Sequence, residues 1–71
     1  MTKYYVGYTQ GNGEYVYVTG VDSTVRVTTL IESAISFTTK ELAESLKDIA
    51  STLVANQDYK VLEITVDIKE A

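Results

Sequence analysis

One stretch of this chain sustains a helical apolar repeat over three turns, and the segments around it are rich in strand formers. Leu42, Leu46, Ile49 and Leu53 follow one another at four, three and four residues, with Ala43, Ala50 and Val54 beside them. Such a stripe predicts an amphipathic helix whose remaining surface carries Lys40, Glu44, Lys47, Asp48 and Ser51. Thr38 and Glu41 have the spacing of a capping box, in which the threonine hydroxyl accepts from the backbone N–H near Glu41 and the glutamate reaches back to the cap. Phe37 stands where a hydrophobic staple onto Leu42 would sit. Asn56 reads as a left-handed stop, followed by Gln57 and Asp58 as turn residues. One helix can cover only one face of a sheet. The other face must meet solvent or a partner.

The strands lie on both sides of that helix. Residues 3–9 and 14–21 are β-rich and are separated by the turn cluster QGNG at 10–13, so residues 3–21 predict a hairpin. Asp22 and Ser23 mark a second turn, and 25–30 suggests a third strand. Its continuation, 31–37, suits either a helical stripe through Ile31, Ala34 and Ile35 or an irregular segment packed on the core, and the irregular form is the expectation. In 60–69, Leu62, Ile64, Val66 and Ile68 share one face, while Val61, Glu63, Thr65, Asp67 and Lys69 share the other. The even-numbered row is expected against the helix. The result is a single α+β domain over residues 1–71, a two-layer β-β-β-α-β fold with one antiparallel or mixed sheet and one helix packed on it. The preferred spatial order sets the last strand beside the first in the middle, giving third, second, first and last strand or a close relative of that order. The third and last, flanking one helix, are expected to run parallel.

Composition narrows the chemistry. The 71 residues include no cysteine, so disulfides and thiolate metal sites are excluded. Histidine is absent too, which removes imidazole bases, Ser-His-Asp triads and zincin motifs. Carboxylate-only catalysis would need a supported pair. Glu41 with Glu44, and Glu44 with Asp48, interleave with lysines as on a solvated helix face, and Glu63 and Asp67 are well separated along a strand. The chain is read as non-enzymatic, with no cofactor. Its net charge is −4, and its six bases are scattered singly, so direct nucleic-acid binding is not expected. No apolar run is long enough for a membrane span, and no secretory signal opens the chain. A cytoplasmic protein is the expectation. Gly11 and Gly13 lie in the hairpin turn, away from any helix start, and read as turn residues rather than a phosphate cradle.

Five of the six tyrosines, Tyr4, Tyr5, Tyr8, Tyr15 and Tyr17, fall in the first hairpin. If Val6, Val16 and Val18 face the helix, Tyr5, Tyr15 and Tyr17 must face away. Arg26, Glu63 and Asp67 are expected beside them. Two readings stay open for this face. Tyrosine is a good strand residue, and cross-strand aromatic pairs stabilise hairpins by about 0.2–1 kcal/mol each. Tyrosine is also enriched at interfaces, because it offers large area at low entropic cost.

Taken together, YYVGYT, EYVYVTGV, AISFTTKELAESL and VLEITVDI resemble the short acidic proteins encoded by phages and prophages of Gram-positive bacteria. The resemblance spans nearly the whole chain, and its motifs are fold signals that carry over no site residue. It implies a bacterial host cytoplasm and a binding role toward a host or phage protein. The sharpest form is an inhibitor of a host defence protein, anti-CRISPR-like in action. The alternative is a structural or accessory phage protein that forms a homodimer or assembly contact through its open sheet face.

Overall fold

The computed structural model describes residues 2–65. Its elements are β1 (Thr2–Thr9), β2 (Tyr15–Val21), β3 (Val25–Thr28), a 3-10 turn (Ile31–Ser33), α1 (Lys40–Leu53) and β4 (Lys60–Thr65). The strands form one sheet in the order β3-β2-β1-β4, with α1 against β1, β4 and β2. The two-layer α+β architecture and the strand order are those the sequence predicts.

Every neighbouring pair is antiparallel, so β3 and β4, three steps apart, also run in opposite directions. The expected parallel relation is corrected, and the cause lies in residues 34–37. Leaving the 3-10 turn, the chain passes between the lower halves of β1 and β2. Ile35 N–H donates to the Val18 carbonyl at 3.2 Å, and Phe37 exchanges two backbone bonds with Tyr4 at 2.9 and 2.8 Å. This strap runs antiparallel to β1 and reverses the chain once before the helix begins. The irregular reading of 31–37 is the one the structure takes.

The strap also moves the helix start. Phe37 is bridged to Tyr4, and the chain bends at Thr38 before the helix. The N-cap is Thr39, with φ −126° and ψ 148°, and its hydroxyl accepts from Leu42 N–H at 3.4 Å. The cap expected at Thr38 therefore sits one residue later, and with Leu42 three residues on from Thr39 the expected capping box does not form. Glu41 instead lies in the first turn, where a carboxylate faces the positive end of the helix dipole. At the other end, Val54 N–H closes on the Ala50 carbonyl at 2.9 Å. Asn56 is not left-handed, since among the described residues only Gly13, in the hairpin turn, has positive φ, at 87°.

The core is made of small side chains. Val6, Val18, Ala43, Ala50 and Tyr59 are buried together, with Tyr4, Tyr8, Val21, Val25, Phe37, Leu46, Val54 and Val61 packed around them. Tyr8 meets Tyr59 edge to face at 5.4 Å. Burial, and then the neighbouring Tyr8, push the Tyr59 hydroxyl above the ordinary value of 10.0. A register shift between Val18 and Gly20 inserts Thr19 as an extra residue. That bulge lets Val18 and Val21 both face inward, which strict alternation would forbid.

Candidate functional site

The face of the sheet turned away from α1 is assembled from all four strands. Val16 and Val18 are buried, so the alternating residues Tyr15 and Tyr17 project to the opposite side. On β1, Val6 is buried, and Tyr5 and Gly7 project the same way as Tyr17, which stands opposite Gly7. The three rings form a continuous series. Tyr5 meets Tyr17 edge-on at 6.4 Å, and Tyr17 is near-parallel to Tyr15, also at 6.4 Å. Tyr15 is 45% exposed at the end of the series, while Tyr5 and Tyr17 are half-buried against their neighbours. The expected outward trio is thus brought together.

β4 corrects the rest of that expectation. Its register sets Val61 opposite Val6, Leu62 opposite Tyr5, Glu63 opposite Tyr4 and Ile64 opposite Lys3. Directly opposed residues of an antiparallel pair share a face. Val61 therefore packs in the core with Val6, and Leu62 and Ile64 join the tyrosines. The even-numbered row faces away from the helix within the described strand, the reverse of the expectation. Glu63 lies on the α1 side of the edge strand, exposed, and is not part of the tyrosine face. Asp67, with Val66 and Ile68, falls outside the described residues.

Gly7 is the crowded point beside Leu62 on this face. It sits between outward-facing Tyr5 and Thr9 and carries no side chain. A Cβ there would run into the Val16 carbonyl oxygen and lie 3.3 Å from Leu62 Cδ1. The missing side chain is the seat that Leu62 occupies. A glycine within a strand often marks such a close approach, here to the Val16 carbonyl.

Arg26 stands opposite Gly20 on the edge pair β2–β3, on the same side as Thr28 and Tyr17. Its guanidinium lies over Gly20 and pairs with Asp22 at 3.6 Å, both side chains being more than half exposed. The Thr24 N–H that donates to Asp22 Oδ1 at 3.1 Å, and then Arg26, hold the Asp22 carboxyl below its ordinary 3.8. Arg26 thus closes the β2–β3 turn and borders the tyrosine face at its far edge. On the helix, Glu41, Glu44 and Asp48 are exposed, and Glu44 pairs with Lys40 at 3.9 Å.

The open face is therefore an aromatic and aliphatic surface of Tyr5, Tyr15, Tyr17, Leu62 and Ile64, bordered by Lys3 and Arg26. Its chemistry is that of contact, with flat rings and methyl groups held on a rigid sheet. No protein-family model matches this chain, and no curated protein and no solved structure matches it.

Proposed function

We propose that this chain is a non-enzymatic protein-binding module that docks through the open face of its sheet. The observation that carries the reading is the joining of three tyrosines with Leu62 and Ile64 on the side opposite α1. Aromatic side chains on rigid elements commonly supply most of the energy of an interface. The resemblance to small acidic phage proteins points to a host or phage protein as partner. An inhibitor of a host defence protein is its most specific form.

The test is affinity capture from a Gram-positive bacterial host with the wild-type chain and with a Tyr15→Ser/Tyr17→Ser double variant, each first shown to be folded by circular dichroism. One protein recovered in stoichiometric amount with wild type and lost with the variant supports the reading. Inhibition of that protein's activity in vitro then identifies an inhibitor, whereas recovery of virion components identifies an assembly role. Equal recovery by both chains overturns the assignment of the surface.

A further inference from the structure

α1 has a second apolar surface besides the one against the sheet. The helix seats itself on Ala43 and Ala50, which are fully buried. At 3.6 residues per turn, the row Leu42, Leu46, Ile49, Leu53 runs about 100° around the helix from that line. The consequence is measurable in their exposure. Leu42 and Ile49 are each 52% exposed and Leu53 is 45% exposed, while Leu46 leans partly into the core. These are large aliphatic side chains left half in water, while the helix is seated on the sheet by two alanines.

We propose that this stripe is the contact between two copies of the chain, packed helix against helix and antiparallel about a two-fold axis. The 4-3-4 spacing is the d-a-d-a seam of a coiled coil. Reversing the helix brings Leu42 onto Leu53 and Leu46 onto Ile49, so the stripe is its own complement. Self-complementarity is what a two-fold contact requires. Antiparallel pairing also sets opposite ends of the two helix dipoles side by side.

The rim of the stripe agrees with this occupant. On the sheet side it is bordered by Ala43 and Ala50, and on the far side by Ser45 and Thr52. None of these carries a charge, so two acidic chains meet without like charges across the seam. Both hydroxyls are already satisfied within the helix, Ser45 Oγ donating to the Glu41 carbonyl at 3.1 Å and Thr52 Oγ1 to the Asp48 carbonyl at 2.9 Å. Burying this rim strands no donor. The charged residues Lys40, Glu41, Glu44, Lys47 and Asp48 lie around the remainder of the helix. The net charge of −4 on each copy opposes association at long range. Salt therefore strengthens the pair by screening it, opposite to its effect on a contact held by opposite charges.

Sedimentation equilibrium over a concentration series, at low and at high salt, reads the proposal directly. The expected result is a reversible dimer that tightens with salt. Ile49→Lys should weaken it by about tenfold or more in Kd, with an unchanged far-ultraviolet spectrum in dilute solution. The absence of cysteine allows a second test that needs no charge in the helix. A mixture of Leu42→Cys and Leu53→Cys chains should form a disulfide-linked heterodimer under mild oxidation, and either variant alone should not. A chain that stays monomeric at millimolar concentration overturns the proposal, as does a dimer indifferent to Ile49→Lys. Leu42→Cys linking to itself as readily as to Leu53→Cys overturns the antiparallel arrangement.

Discussion

The layer between sheet and helix and the two outer surfaces of this domain use opposite kinds of side chain. Among the described residues Val6, Val16, Val18, Ala43 and Ala50 are almost wholly buried, whereas Tyr15, Leu30, Leu42, Ile49 and Leu53 are all close to half exposed or more. In most small domains the larger apolar side chains are the ones hidden, because each removes more surface from water. Here small side chains seat α1 on the sheet with Tyr59 buried beside them, while the leucines and isoleucine on the helix flank and Tyr15 on the open face are turned toward solvent. A chain of 71 residues has little core to draw on, and association is one of the few ways to add to it. The contrast teaches that inside and outside are not sorted by hydrophobicity alone. They are sorted by what fits in a thin contact layer.

That contrast can be broken most directly at the helix seat. Ala50→Leu forces a large side chain into a filled layer and should destabilise by about 1–3 kcal/mol. The neighbouring Ile49→Ala, in dilute monomer, should cost less than about 1.5 kcal/mol, because half of that side chain is already in water. Urea denaturation of the two variants reads both. The reverse order of effects would mean that the helix is rotated by one residue on the sheet.

The open face gives the next largest effect. Replacing Tyr15 and Tyr17 by serine should cost about 1–2 kcal/mol through lost cross-strand and ring contacts, leaving a cooperative thermal transition. Outright unfolding would place those rings in the core instead. At the cap, Thr39→Ala should cost about 1 kcal/mol, and Thr38→Ala should stay within about 0.5 kcal/mol. Equal effects at the two threonines would return the helix start to the earlier residue.

The smallest effect is confined to alkaline solution. Tyr59 is held neutral in the fold above its ordinary 10.0. The unfolded chain loses that proton first, so stability is unchanged below about pH 10 and falls as pH rises through the folded value. Tyr59→Phe should flatten this decline in pH-dependent melts. A decline just as steep in the variant would assign the loss to other groups.

The hairpin, the helix and the outward tyrosines were legible in the sequence because each rests on a local pattern that only one arrangement satisfies. Val16 and Val18 alternate with Tyr15 and Tyr17, and the valines are the smaller set, suited to the thin layer. β4 was less legible because alternation names two faces without saying which is inner. Leu62 and Ile64 looked like the core row, but the pairing with β1 sets Val61 beside Val6 and turns them to the other face. The cap was misplaced by one residue because Phe37 pairs with Tyr4, a contact across more than thirty residues that no local spacing records. The same strap reversed the expected direction of β4. On the open face, Tyr5, Tyr15 and Tyr17 project where the alternation places them and Arg26 borders them, whereas Glu63 lies on the other side and Leu62 and Ile64 take its place, because the parity of β4 is inverted.

The central position of β1 has a kinetic consequence. Its partner on one side arrives after a five-residue connection, residues 10–14, but its partner on the other side is β4, and the pairing of Thr2 with Thr65 closes a separation of 63 residues. Loop closure of that length must precede any reward from the contacts it permits, which slows folding relative to other domains of this size. Until β4 docks, the middle strand of the finished sheet is an open edge with unpaired N–H and C=O groups. An open edge on a β-rich segment is a template for other chains. Partly folded copies of this protein are therefore expected to aggregate through β1, and charged substitutions placed there would trade folding speed against protection during that interval.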